Sequence, residues 1–364
     1  MSIFNGDVVT EVRGRMGLIT LNRPRALNAL SLGMVRDLTV ALQAWAQDPA
    51  VLAVAIRGSN KEGVFGAFCA GGDIRFLHQA GSTGDPDLEA FFTEEYALNH
   101  LIHAYPKPYI AFMDGIVMGG GMGISQGGSL RIVTERTKMA MPETNIGLFP
   151  DVGGGYFLSR CPGRVGEWLA LTGDTIGAAD ALAYGLADRF LPADRQAELW
   201  DALATGRWET TEALQAFLQT PWTQPPVAEQ AHRAAVDQYF ALPDATAIVA
   251  SLEASADDWA RQTAATLRKR SPLMLHVVLE QIRRARSLDL AQDLRMERDM
   301  VHRCFHLRPG QSETVEGIRA LAVDKDHQPR WNPGRVEDVP ATLVAQFFSS
   351  PWAASAHPLR DLQG

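Results

Sequence analysis

Seven of the fifteen residues in DGIVMGGGMGISQGG, from 114 to 128, are glycine. They follow the apolar run PKPYIAFMDG (106 to 115), which has strand composition, and they open a stretch that reads as a helix. A strand that passes into a helix through bare backbone demands close approach by another segment or a ligand, and it leaves the first N–H groups of that helix without partners. Two further turns share this context. FCAGGDI (68 to 74) ends the glycine-rich loop GSNKEGVFGAFCAGGD (58 to 73), and the glycines at 153 to 155 start another helix.

The segments between these turns alternate in type. GLITLNR (17 to 23) and VLAVAIRG (51 to 58) are strand-like, and SLGMVRDLTVALQAWAQD between them places its apolar residues at helical spacing, which makes a β-α-β unit. IRFLHQAG and DLEAFFTEEYALNHLIHAY read as helices, and LRIVTER (130 to 136) and KMAM (138 to 141) as short strands. The pattern predicts an α/β class with strands buried on both faces. From about residue 192 the strand signals stop and helical patterns take over. The division expected is an α/β core over 1–192 that holds the site, and a mostly helical region over 193–364. Proline-rich breaks fall at TPWTQPP (220 to 226) and KDHQPRWNPG (325 to 334).

Composition removes several classes of function. A net charge of −8 with no run of Lys or Arg gives no footprint for nucleic acid. The longest apolar runs fall far short of the roughly 20 residues that cross a bilayer, so no membrane partner is expected. Three widely spaced cysteines, Cys69, Cys161 and Cys304, fit a reducing compartment better than a disulfide framework. The first residues lack a basic and then apolar leader and carry acids that a presequence avoids, so the expected location is cytoplasmic.

Three features carry chemistry. The helix start at 119–121 and the turn at 68–74 each offer backbone N–H groups suited to a developing oxyanion, although tight packing or a surface loop capped by Asp73 reads the same glycines. No GxGxxG threads through them, which removes dinucleotide binding. Glu143 and Asp151 stand eight positions apart across TNIGLF, a nearly uncharged segment whose apolar walls would raise carboxylate basicity. Asp151 also sits where it could cap the helix opened by VGGG. His302 and His306 in HRCFH have the i, i+4 spacing of metal ligands, but Cys304 between them points away and no third ligand is evident, so no metal is expected.

AFCAGGDI, DGIVMGGGMGIS and MPETNIGLFPDVGGG together resemble the crotonase, or enoyl-CoA hydratase/isomerase, superfamily. SPLMLHVVLEQIRRARSLDLAQDLRMERDMV and EGIRALAVDKDHQPRWNP are similar to the C-terminal region of its 3-hydroxyisobutyryl-CoA hydrolase subfamily, so the resemblance spans nearly the whole chain. It implies a spiral core of repeated ββα units, an acyl-CoA thioester as substrate, no separate cofactor, and oxyanion donors at Gly72 and Gly120. Glu143 matches the acid of the family's PE motif. Gly123 stands where true hydratases carry their other catalytic Glu, and Asp151 falls where the hydrolases have their Asp. Glu95 matches a glutamate that contacts substrate, as Gly120, Glu143 and Asp151 also would. Arg25, Ala26, Leu27, Ala70, Asp73 and Ile74 fall where crotonases hold CoA. The subfamily's Asp-Phe before EGIRA is replaced here by SETV.

The implied reaction is hydrolysis of a short 3-hydroxyacyl-CoA, 3-hydroxyisobutyryl-CoA foremost, as in valine degradation; the 3-hydroxypropionyl thioester differs by one methyl and stays open. Glu143 either attacks the carbonyl to form a mixed anhydride or acts as general base on water. An enoyl-CoA hydratase or isomerase is the alternative enzyme, and a non-catalytic CoA-binding protein is the alternative of another class. Crotonases assemble through C-terminal helices, and the longer tail of this subfamily leaves a homo-oligomer open.

Overall fold

Four times over, the chain lays down two strands and then a helix. The first set is β1 (Val8–Arg13), β2 (Met16–Leu21) and α1 (Leu32–Gln47). The second is β3 (Ala53–Asn60), β4 (Gly63–Val64) and α2 (Ile74–Thr83), extended by α3 (Asp87–His103). The third is β5 (Tyr109–Met113), β6 (Ile116–Met118) and α4 (Gly120–Gln126), and the fourth is β7 (Leu130–Val133), β8 (Lys138–Ala140) and α5 (Gly154–Ser159). The helix α6 (Val165–Thr172) and the last strand, β9 (Arg189–Phe190), follow. These coordinates are a computed structural model that describes residues 6–219 and 222–364. Residues 1–5, on which part of the leader reading falls, and Thr220 and Pro221 of the proline-rich break lie outside them.

Seven strands form one mixed sheet in the order β1-β2-β3-β5-β7-β9, with β4 paired to β3, while β6 and β8 make a second, two-stranded sheet. β1 and β2 are antiparallel, and every later neighbour along the main order is parallel. Parallel strands connected through helices are covered on both faces, and all five residues of β5 are buried accordingly. Sequence reading did not find β1. Only Val8 of that strand is buried, so an exposed edge strand with mixed polarity leaves no clear apolar period.

The chain divides into two compact units that interleave along the sequence. The first comprises residues 1–72, 98–139 and 176–228, the second residues 73–97, 140–175 and 229–364. In the first, Met16, Leu18, Ala55, Ile110, Phe112 and Ile132 line one sheet face and pack with Trp200, Leu203, Leu214 and Leu218 from two helices that follow β9. In the second, the helix Pro272–Ala285 is buried nearly all round and packs on α5 and α6. Among the described residues no strand follows Phe190, so residue 192 separates element types, whereas compactness groups the helices to residue 218 with the sheet. No helix among the described residues is long and apolar enough to cross a membrane.

Candidate active site

In the first unit, the two glycine turns lie against each other. Cys69 N–H donates to Ile116 O at 2.9 Å, and Met118 N–H donates back to Cys69 O at 3.0 Å, so the 68–72 loop runs beside β6. A Cβ on Gly71 would sit 3.3 Å from Met118 O and 3.6 Å from Gly120 N, and one on Gly121 only 2.4 Å from Cys69 O, a spacing only glycine allows. Gly120 is the first residue of α4, where its N–H has no intrahelical acceptor. Gly72 is bridged to Leu30, whose N–H donates to Gly71 O at 2.8 Å. Asp114, buried at the end of β5, pins this arrangement by accepting from Gly66 N–H, Thr134 Oγ1 and Arg136. Burial raises its carboxyl, but these hydrogen bonds outweigh the effect and hold it below the usual range.

The carboxylates belong to the second unit. Glu143 opens a 3-10 turn (Glu143–Ile146) that Gly147 ends in the left-handed region, with Leu148 N–H donating to Glu143 O at 3.0 Å. Glu95 and Tyr96 come from α3. Glu95, Glu143 and Asp151 are 2%, 7% and 6% exposed, deep enough that desolvation governs all three. Burial and then the charge of Asp151 push Glu143 well above an ordinary carboxylate, and burial, Asp151 and Glu143 together do the same to Glu95. Asp151 is raised to about 6 by burial, moderated by the hydrogen bond from Tyr96 Oη to its Oδ2 at 2.8 Å. Burial and the nearby Asp151 keep the Tyr96 phenol protonated, so it acts as donor. Glu95 Oε1 and Glu143 Oε2 are buried without a hydrogen-bond partner among the described residues, as carboxylates kept for a substrate or water would be.

Asp151 is not the cap of α5. Its side chain goes to Tyr96, Gly153 is the N-cap residue, and the free N–H groups are taken by acids from the helix Leu290–His306. Glu297 accepts from Gly153 N–H at 2.7 Å and Gly155 N–H at 2.9 Å, and Asp293 accepts from Tyr156 N–H at 2.8 Å. Gln281 adds a bond to Pro150 O at 2.7 Å. These contacts hold Val152 at φ 56°, a left-handed conformation that costs a β-branched residue of order 1–3 kcal/mol. Sequence reading missed Glu297 and Asp293, which lie more than 130 residues from their partners. Glu297→Ala orphans two buried N–H groups at about 1–3 kcal/mol each. Chemical denaturation should show that loss, and turnover should fall with it as Asp151 is released.

Of the residues expected at CoA, Arg25 and Leu27 are exposed, and Ala26 closes a 3-10 turn (Pro24–Ala26) that Leu27 ends in the left-handed region. Ala70 N–H donates to Leu27 O at 3.0 Å, which brings this turn to the 68–72 loop. Asp73 caps α2 through Phe76 N–H at 3.4 Å, and Ile74 begins that helix. Gly123 lies buried on α4, which carries no acid. The three cysteines are buried and none is in a disulfide.

Four ββα repeats with adjoining glycine turns define a crotonase-type fold, and solved structures share it. An enoyl-CoA hydratase from Rhodobacter sphaeroides is 39% identical with a TM-score of 0.86, over 95% of this chain and 98% of that one. A carnitinyl-CoA dehydratase from Mycobacterium thermoresistibile is 37% identical with a TM-score of 0.85, over 95% and 97%. The enoyl-CoA hydratase/isomerase family model matches residues 16–348, and the chain belongs to that family. Its curated relatives include the mitochondrial 3-hydroxyisobutyryl-CoA hydrolase of Danio rerio, 38% identical over 94% of this chain and 90% of that protein. A probable 3-hydroxyisobutyryl-CoA hydrolase of Arabidopsis thaliana is 39% identical over 94% and 91%.

Proposed function

We propose that this protein hydrolyses short 3-hydroxyacyl-CoA thioesters, with 3-hydroxyisobutyryl-CoA as the principal substrate, to the free hydroxy acid and CoA, a step of valine breakdown. One observation carries the reading: the acids are Glu143 and Asp151 in one loop system, and α4 presents Gly123 and no carboxylate. The relatives described as 3-hydroxyisobutyryl-CoA hydrolases support it. The two solved relatives are described as a hydratase and a dehydratase, and the missing acid on α4 weighs against transferring either reaction.

In this reading Gly72 and Gly120 N–H groups donate to the thioester oxygen and stabilise the charge that builds there, each worth about 2.7–4 kcal/mol in the transition state. Glu143, made basic by burial, takes a proton from water as the oxygen attacks the carbonyl carbon; the C–S bond then breaks and the thiolate leaves with a proton. The covalent route has Glu143 attack the carbonyl itself, expel CoA and form an anhydride that water opens. Asp151, oriented by Tyr96, accepts a hydrogen bond from the 3-hydroxyl or from the attacking water, and Glu95 adds a polar contact. The Danio rerio relative is described as mitochondrial for itself; a reducing location for this chain rests on cysteines that form no disulfide.

Thiol release from 3-hydroxyisobutyryl-CoA and from isobutyryl-CoA tests the reading. A site built to bond a hydroxyl rejects the analogue without one, by up to about 10⁴–10⁵-fold in kcat/KM. Equal rates would remove the hydroxyl from recognition, and no thiol from either would remove hydrolysis.

A further inference from the structure

One carboxylate ties α3 to the helix Leu290–His306. Glu89 Oε1 receives His302 Nδ1 at 3.1 Å and His306 Nε2 at 2.8 Å, and Glu89 Oε2 is held by Arg298. The two imidazoles stand one helical turn apart on the same face, with ring centroids 4.3 Å apart. Glu89 is the third group that the spacing of HRCFH alone did not disclose. It lies 213 residues before His302, and only the fold brings it there.

The geometry suits an ion of a particular size. The three ligating atoms all fall within 4.8 Å of one another. A tetrahedral Zn²⁺ with bonds of about 2.0–2.1 Å sets its donor atoms about 3.3–3.4 Å apart. The two edges that meet at Glu89 Oε1 are 2.8 and 3.1 Å, so shifts of a few tenths of an ångström open the triangle to the ion. Two imidazoles and a carboxylate are donors that Zn²⁺ accepts readily, and His306, 43% exposed, leaves a side open to solvent. Arg298, buried and also donating to Thr93 Oγ1 at 2.9 Å, fixes the carboxylate through its other oxygen, as outer-shell partners of metal ligands do.

We propose that Glu89, His302 and His306 form a Zn²⁺ site, with a water molecule as fourth ligand, that staples α3 to the helix Leu290–His306. Binding places the remaining imidazole proton on the nitrogen facing away from the ion, Nε2 of His302 and Nδ1 of His306, and any proton beyond that one is released to solvent. None of the three residues takes a part in the proposed reaction. Its effect is mechanical, because α3 carries Glu95 and Tyr96 while the other helix carries Asp293 and Glu297. The proposal does not rest on the thioesterase reading, since its readouts are metal binding and stability.

The full-length protein, stripped with chelator, is titrated with Zn²⁺ by calorimetry and with Co²⁺ by absorption. The expected result is one Zn²⁺ per chain, visible Co²⁺ bands of four-coordinate type, and a higher melting midpoint with Zn²⁺. His306→Ala should weaken binding by more than the roughly 10–100-fold that even an outer-shell loss costs, while melting as a folded protein in the absence of metal. Glu89→Gln should do the same. That substitution also disturbs buried Arg298, so if it fails to fold, His306→Ala decides alone. No stoichiometric Zn²⁺ uptake by the unmodified protein, or undiminished uptake by His306→Ala, overturns the proposal.

Discussion

Glu143→Gln abolishes nearly all thiol release from 3-hydroxyisobutyryl-CoA, with kcat falling about 10²–10⁴-fold while the protein stays folded. The expectation follows from the placement of this carboxyl. It is buried, its Oε2 has no protein partner among the described residues, and burial together with Asp151 raises its proton affinity far above that of a free glutamate. Either a general base or a nucleophile needs that electron pair, and an amide supplies neither. KM should change little, because Gln has nearly the size of Glu and the electron pair it lacks is needed in the chemical step. Steady-state kinetics with a thiol reagent checks both values, and full kcat in Glu143→Gln would take this residue out of the chemistry.

Asp151→Asn gives a second large effect with three readouts. Turnover drops by at least about tenfold, since the acceptor for the substrate hydroxyl or for water loses its charge. The remaining activity keeps an acidic limb in its kcat/KM profile, and that limb moves to lower pH. The sign follows from the neighbour: the Asp151 charge raises Glu143, so neutralising it lets Glu143 ionise more readily. Stability moves the other way from activity. Asp151 goes from 3.8 to about 6 on folding, so the native state holds more protons than the unfolded chain between about pH 4 and pH 6, and stability falls as pH rises through that window. Above it the penalty is fully present, at most roughly 3 kcal/mol. Asn keeps an acceptor for Tyr96 and removes the penalty. The variant should therefore melt higher than the unmodified protein at pH 8 and no higher below pH 4, a gain bought with function.

What the sequence disclosed was local. The glycines at 119–123 predict a strand passing into a helix with its backbone laid bare, and the structure places Gly121 within 2.4 Å of Cys69 O if a Cβ is added. Glu143 and Asp151 stand out because their apolar surroundings lie in the same fifteen residues, MPETNIGLFPDVGGG. Asp151 also reads as a helix cap, since a helix start follows it directly. In the fold Glu297, 144 residues away from Gly153, accepts the N–H bonds that a local cap would have taken. Tyr96, fully buried among aromatic residues of α3, carries no sign in its neighbours that its hydroxyl reaches Asp151, 55 positions on. Helices after β9 read only as helices. That Trp200 and Leu214 complete the packing under the sheet is a property of the fold, because amphipathic spacing states that a face is buried and not against what.

The most direct test of the central claim offers the unmodified protein 3-hydroxyisobutyryl-CoA and crotonyl-CoA in parallel, following free thiol and the conjugated enoyl thioester separately. Hydrolysis by Glu143 and Asp151 predicts rapid thiol release from the hydroxyacyl substrate and no loss of enoyl absorbance from crotonyl-CoA. Loss of enoyl absorbance without thiol would contradict it and return the site to hydration.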